Sequence, residues 1–214
     1  MTNLVINPFL VIPPPEVLEL TQVLSAASAT ASITQPVGIQ AGDLIIFANL
    51  ATNSPPPAAS VPSGYTQLLT ISNSASRVVL SYKIADGTEG GNNVTGMTTP
   101  GGVRGGIVVY RPNRSIVSVS GSDPALEITS GNPVSQTVNA SVAIPPVIII
   151  GLYWALSGAI DPRTMSPAKD GEVNAGTTFY LAWKLYASSP QDTSVDMDDE
   201  GFSNIVFSAY VEVT

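Results

Sequence analysis

Hydrophobic residues recur along the chain in short runs of period two, the spacing that sets them on one face of an extended strand. In residues 77–84, Val78, Leu80, Tyr82 and Ile84 share one face and Lys83 points to the other. Residues 178–186 repeat the pattern, with Phe179, Leu181, Trp183 and Leu185 on one face and Lys184 opposite. The same reading predicts strands over 43–50, 65–71, 77–84, 107–110, 116–120, 135–142, 147–155, 177–186 and 205–213. Eighteen Gly and eighteen Pro punctuate these runs, as turns do in a sandwich or barrel. One stretch, 16–29, carries a helical stripe in Val17, Leu20, Val23, Leu24 and Ala27. Its Ser/Thr/Ala-rich continuation over 25–34 fits an extended segment equally well, and a strand is expected there.

The predicted strands echo one another. The run Asp43-Leu-Ile-Ile-Phe-Ala-Asn-Leu-Ala parallels Pro146-Val-Ile-Ile-Ile-Gly-Leu-Tyr-Trp-Ala. Ser76-Arg-Val-Val-Leu-Ser-Tyr-Lys-Ile-Ala parallels Thr177-Thr-Phe-Tyr-Leu-Ala-Trp-Lys-Leu-Tyr, and Gly106-Ile-Val-Val-Tyr parallels Asn204-Ile-Val-Phe-Ser-Ala-Tyr. Each half thus supplies three long strands with a Gly/Asp-rich loop before the third. The halves form either two small domains or one sandwich. One sandwich is expected, because three or four strands alone bury too little apolar surface. The expected fold is therefore all-β: an antiparallel, jelly-roll-like β-sandwich over 36–214, built from halves at about 36–112 and 140–214.

Residues 1–35 read differently, as an extended arm and a linker strand. Leu4, Val5, Ile6, Phe9, Leu10, Val11 and Ile12 are apolar, but Pro8 and Pro13 to Pro15 forbid a central strand and favour polyproline geometry. Such an arm needs a surface to cover it, either its own sandwich or a neighbouring subunit. The first residues lack a basic segment and a cleavage site, so no secretory leader is expected.

Composition narrows the chemistry. Among 214 residues there is no Cys and no His, which removes disulfides, thiolate metal ligands, and the commonest general base and metal ligand. Charged residues are only 11%, against about 25% in ordinary domains. A low-charge surface suits extensive protein–protein contact. The net charge of −8 with eight Lys and Arg gives no basic patch for phosphates, so neither nucleic acid nor an anionic membrane is an expected partner. No apolar run reaches the length of a membrane-spanning helix.

Three segments, 37–47, 61–68 and 80–89, carry a resemblance. Val37-Gly-Ile-Gln-Ala-Gly-Asp-Leu-Ile-Ile-Phe, Val61-Pro-Ser-Gly-Tyr-Thr-Gln-Leu and Leu80-Ser-Tyr-Lys-Ile-Ala-Asp-Gly-Thr-Glu resemble a pattern common in phage and prophage virion proteins. In it a "GDLLI" strand is followed by "PxGWTxL" and then by "YKxAxGxE", and Tyr65 stands where the pattern more often has Trp. The resemblance covers about residues 36–112. It implies a β-sandwich virion component, and it carries no catalytic chemistry.

These readings together lead to a non-enzymatic capsid decoration, or cement, protein. It would bind the head shell and stabilise it by mass action, with the major capsid protein and copies of itself as partners. The self-association would be a homo-oligomer, a trimer being one form, in virions assembled in the host cytoplasm. Leu4 to Ile12 of the arm are the expected interface. The alternative is a tail or fibre module that stacks a host glycan on Tyr153, Trp154, Trp183, Tyr186 and Tyr210. No cofactor is expected. The acidic run Asp196, Asp198, Asp199 and Glu200 is a weak Ca²⁺ candidate without EF-hand spacing, set against a plain solvated loop. Asp86-Gly-Thr-Glu89 and Asp170-Gly-Glu172 read as turns.

Overall fold

The computed structural model describes residues 17–98, 101–130, 134–137, 146–155, 163–166, 168–176, 178–187, 194–199 and 203–214. The apolar arm with Leu4 to Ile12 lies outside them. Among the described residues there are fifteen strands and no helix. They are β1 (Leu20–Ser28), β2 (Ser32–Thr34), β3 (Leu44–Thr52), β4 (Thr66–Ser72), β5 (Ser76–Ile84), β6 (Asn93–Thr95), β7 (Val103–Pro112) and β8 (Val119–Ser130). The remainder are β9 (Val134–Thr137), β10 (Val147–Ala155), β11 (Arg163–Ser166), β12 (Gly171–Ala175), β13 (Phe179–Tyr186), β14 (Ser194–Asp199) and β15 (Ser203–Val213).

Two five-stranded antiparallel sheets form the body, in the orders β1-β7-β3-β5-β4 and β12-β13-β10-β15-β8. Read from β8, the second sheet has the same connectivity as the first: in each, the strands first, fifth, second, fourth and third in the chain lie side by side. The small elements follow suit. β2 pairs β6 over the first half, and β9 pairs β14 at the corresponding points of the second, with β11 added. Each half thus keeps its long strands in one sheet, and the halves do not interleave in the jelly-roll manner expected from the strand count.

The sheets stack face to face, β1 against β12, β7 against β13 and β4 against β8. Exchanging the halves turns the β1–β12 contact into the β8–β4 contact, so the two edge contacts are related as in a two-fold pairing, while β7 against β13 has no equally close counterpart between β15 and β5. The shared core takes alternate residues from both sheets. Leu44, Ile46, Ala48 and Leu50 of β3 and Val78 and Leu80 of β5 come from the first. Ile148, Ile150, Leu152 and Trp154 of β10 join Phe179, Leu181 and Trp183 of β13 and Phe207 of β15 from the second. Each such side chain contributes about 1.5–3 kcal/mol on leaving water. Gly106 permits the approach: a Cβ there would lie 2.6 Å from Leu181 Cδ2.

The outer face of the first sheet is also buried. Ile45, Phe47, Ile107 and Val109 pack against Ile33 of β2, Ile39 and Tyr65. Asn49 lies on the same face and is fully buried. Its Nδ2 donates to Arg104 O at 2.9 Å, and its Oδ1 accepts from Met97 N at 2.6 Å. Unpaired, such an amide would cost several kcal/mol.

The helix candidate at 16–29 is strand β1. A register shift between Gln22 and Leu24 marks a bulge against β7. Leu20 and Ala27 turn to the shared core, while Val23 and Leu24 pack on the outer cluster. One inserted residue converts a period of two into the i, i+3, i+4, i+7 spacing that mimics a helical stripe. Edge strands β4 and β8 also carry register shifts against their single partners. Bulges at sheet edges discourage pairing with other chains.

Candidate functional site

Residues from the segments 37–47, 61–68 and 80–89 converge on one end of the first sheet. Asp43 precedes β3, and its side chain is only 2% exposed. Arg111, at the end of β7, donates to both of its oxygens, from Nε at 2.9 Å and Nη2 at 2.8 Å, and Gln40 N–H adds a bond at 2.8 Å. Burial alone would raise the carboxyl pKa, but these bonds and the guanidinium charge hold it below its ordinary value.

Glu89 forms a second clamp. Its carboxylate is buried against Lys83 Nζ at 2.7 Å and accepts from Asp86 N and Gly87 N, each at 2.9 Å. Burial opposes ionisation here too, and the Lys83 ammonium with the backbone donors overcomes it, so the pKa lies below the ordinary value. Gly87 and Gly91 both have positive φ, the conformation that lets the turn fold back on its own carboxylate. Lys83 also pairs Asp86 at 3.2 Å, and Thr88 bonds to Asp86, whose pKa falls to about 2.

Tyr65 completes the group. Its ring meets Phe47 edge-on at 6.0 Å, and its hydroxyl accepts from Gln35 Nε2 at 2.8 Å. Burial and the Glu89 charge raise its pKa, so it stays protonated. Asp43 and Glu89 are both held as anions in ion pairs, a state that suits neither for proton donation near neutral pH. Their chemistry is that of bolts between loops and strands.

Beside this end lies a cleft of about 340 Å³ between the 40–43 turn and the 111–116 segment. Arg111 forms part of its floor and Arg114 part of its rim, with Ile84 and Ile116 as the apolar walls. Sequence reading passed over Arg111 and Arg114, and Asn113 registered only as a chance Asn-x-Ser sequon. The only signal was a pair of arginines closing an apolar run at Tyr110-Arg-Pro-Asn-Arg.

The other candidates fall elsewhere. Asp196, Asp198 and Asp199 lie not in a loop but in β14, the middle strand of the order β11-β14-β9. Asp196 is paired with both neighbours and Asp198 and Asp199 with β11, so this backbone lies in a ladder rather than in a loop cage. Glu200 is outside the described residues. Tyr153, Trp154, Trp183 and Tyr210 are buried at 5% exposure or less and present no stacking face. Arg104 caps the Trp154 ring at 4.8 Å, and only Tyr186 is half-exposed, with Lys184 Nζ 5.8 Å from its centroid.

Compared with protein-family models, curated proteins and solved structures, the chain gives no significant match to any.

Proposed function

We propose that this protein is a non-enzymatic structural component of a phage particle, a decoration protein that binds the head shell and stabilises it. One observation carries the reading. The residues of the virion-like motif, Asp43, Tyr65, Lys83 and Glu89, are all consumed in bonds that hold loops to the first sheet. A motif spent on architecture is a scaffold signature rather than a site. The low charge of the chain supports a life in protein–protein contact. By linkage, a protein that binds only the assembled shell raises the shell's stability.

Sedimentation of purified protein with shells that lack it tests the proposal. Saturable binding to shells and none to host cells is expected. Deleting residues 1–15 should weaken shell binding about tenfold, a loss of about 1.4 kcal/mol. Unchanged binding would remove the arm from the interface, and binding to host cells alone would replace the decoration role with host recognition. The aromatic residues named for a glycan platform offer that second reading no support, since four of the five are buried.

A further inference from the structure

The cleft at the loop end has features that folding does not explain. Its floor is rigid. Arg111 is tied to Asp43 by two bonds and to Gly38 O at 3.3 Å, so its charge is cancelled and its position fixed. Its rim is anchored at both ends. Asn113 bonds Val17 O at 3.1 Å and Glu19 N at 2.9 Å, and Val117 N and Ser118 N both donate to Thr214 O. Between these anchors Arg114 is exposed and, among the described residues, makes no hydrogen bond or ion pair. Among its described lining residues the cleft therefore carries one uncompensated positive charge, in a chain of net −8.

Its surroundings are apolar as well. Four large hydrophobic side chains are exposed among the described residues, and one of them, Ile84, lines the cleft together with Ile116. Ile84 is 39% exposed, and Ile116 beside it is half-buried. A single exposed aliphatic needs no explanation, but two isoleucines lining a cleft that also holds an unpaired guanidinium suit a contact of mixed apolar and charged character.

We infer that this cleft docks an extended segment of a partner protein that carries a carboxylate next to an aliphatic side chain. The carboxylate meets Arg114, which supplies a planar pair of donors with no competing acceptor. The aliphatic side chain lies against Ile84 and Ile116. A basic segment is disfavoured by Arg114, and a purely apolar one would strip water from that guanidinium without compensation. The inference holds whether or not the partner belongs to a phage shell.

The test uses the full chain labelled with ¹⁵N and two capped tetrapeptides, acetyl-Gly-Leu-Asp-Gly-amide and its Asn counterpart. Saturable amide shifts confined to Ile84 and residues 111–117 are expected with the Asp peptide. The Asn peptide should bind about tenfold more weakly, and so should the Asp peptide to Arg114→Gln. Arg114 is exposed and makes no hydrogen bond to a described residue, so that variant is expected to keep its fold, which the unshifted remainder of the spectrum verifies. Equal binding of the two peptides, an unchanged affinity in Arg114→Gln, or shifts absent or spread over other surfaces would overturn the inference. So would sodium acetate matching the Asp peptide in affinity, which would reduce the cleft to a simple anion site.

Discussion

Lys83 and Lys184 occupy corresponding places in the two sheets, yet they do different work. Lys83 stands opposite Ile45 of β3, which on its other side faces Val109 of β7. Lys184 stands opposite Ile149 of β10, which faces Tyr210 of β15. Lys83 neutralises Glu89, whose side chain is 3% exposed. Lys184 pairs Asp170 at 2.7 Å, and that carboxylate is 40% exposed. One topology is therefore written twice with different polar hardware. The apolar alternation and the strand order are common to both halves, whereas among the described residues the buried clamps belong to the first. Connectivity follows from the strand pattern, and the clamps fasten loops onto a sheet that the core already defines.

That comparison can be broken at several depths. The largest effect is expected in the shared core. Phe207→Ala, in the second sheet, should cost about 4 kcal/mol in urea unfolding. Because both sheets own that core, amide-exchange protection should fall in β3 and β5 as much as in β10 and β13. Loss confined to the second sheet would mean that the halves are separate folding units.

Next comes the buried clamp. Lys83→Met should cost about 3 kcal/mol, because it leaves Glu89 buried without its partner charge. The equivalent Lys184→Met should cost less than about 0.5 kcal/mol, since its partner is solvated. Equal costs in thermal melts would erase the distinction between the halves. Gly106→Ala sets a methyl 2.6 Å from Leu181 Cδ2 and should cost about 2 kcal/mol. Adding Leu181→Ala should then cost less than it does alone, with coupling of about 1 kcal/mol between the two sites.

The smallest effect is a dependence on pH. Asp43 and Glu89 have folded pKa values below their ordinary 3.8 and 4.5. A depressed carboxylate pKa stabilises the fold fully above about pH 5, and the gain is lost as the pH falls through the folded values. Stability should thus decline in acid, and Glu89→Gln, less stable at pH 7, should show a flatter profile over that range. Parallel profiles for the two proteins would show that Glu89 is not a clamp.

Much of the fold was legible from alternation. The run 77–84 is β5 with one residue added, and 147–155 is β10. Alternation correctly turned Val78 and Leu80 inward and Lys83 outward, because a period of two has only two solutions. Strand β1 left a helical alternative open because its bulge disturbs that period. The partnership of Asp43 with Arg111 was invisible, since 68 residues separate them and only sheet register brings them together. The aromatic residues of β10 and β13 looked like a possible platform, but the strands carrying them lie inside the second sheet and bury both faces. That each half keeps to its own sheet also escaped a reading of strand count alone, which constrains how many strands there are and not which of them are neighbours.

Electron microscopy of purified phage particles carrying a label on this protein tests the central claim most directly. The account predicts label distributed over the icosahedral head, at sites related by the symmetry of the shell. Label confined to the tail or its tip, or absent from the particles, would contradict it.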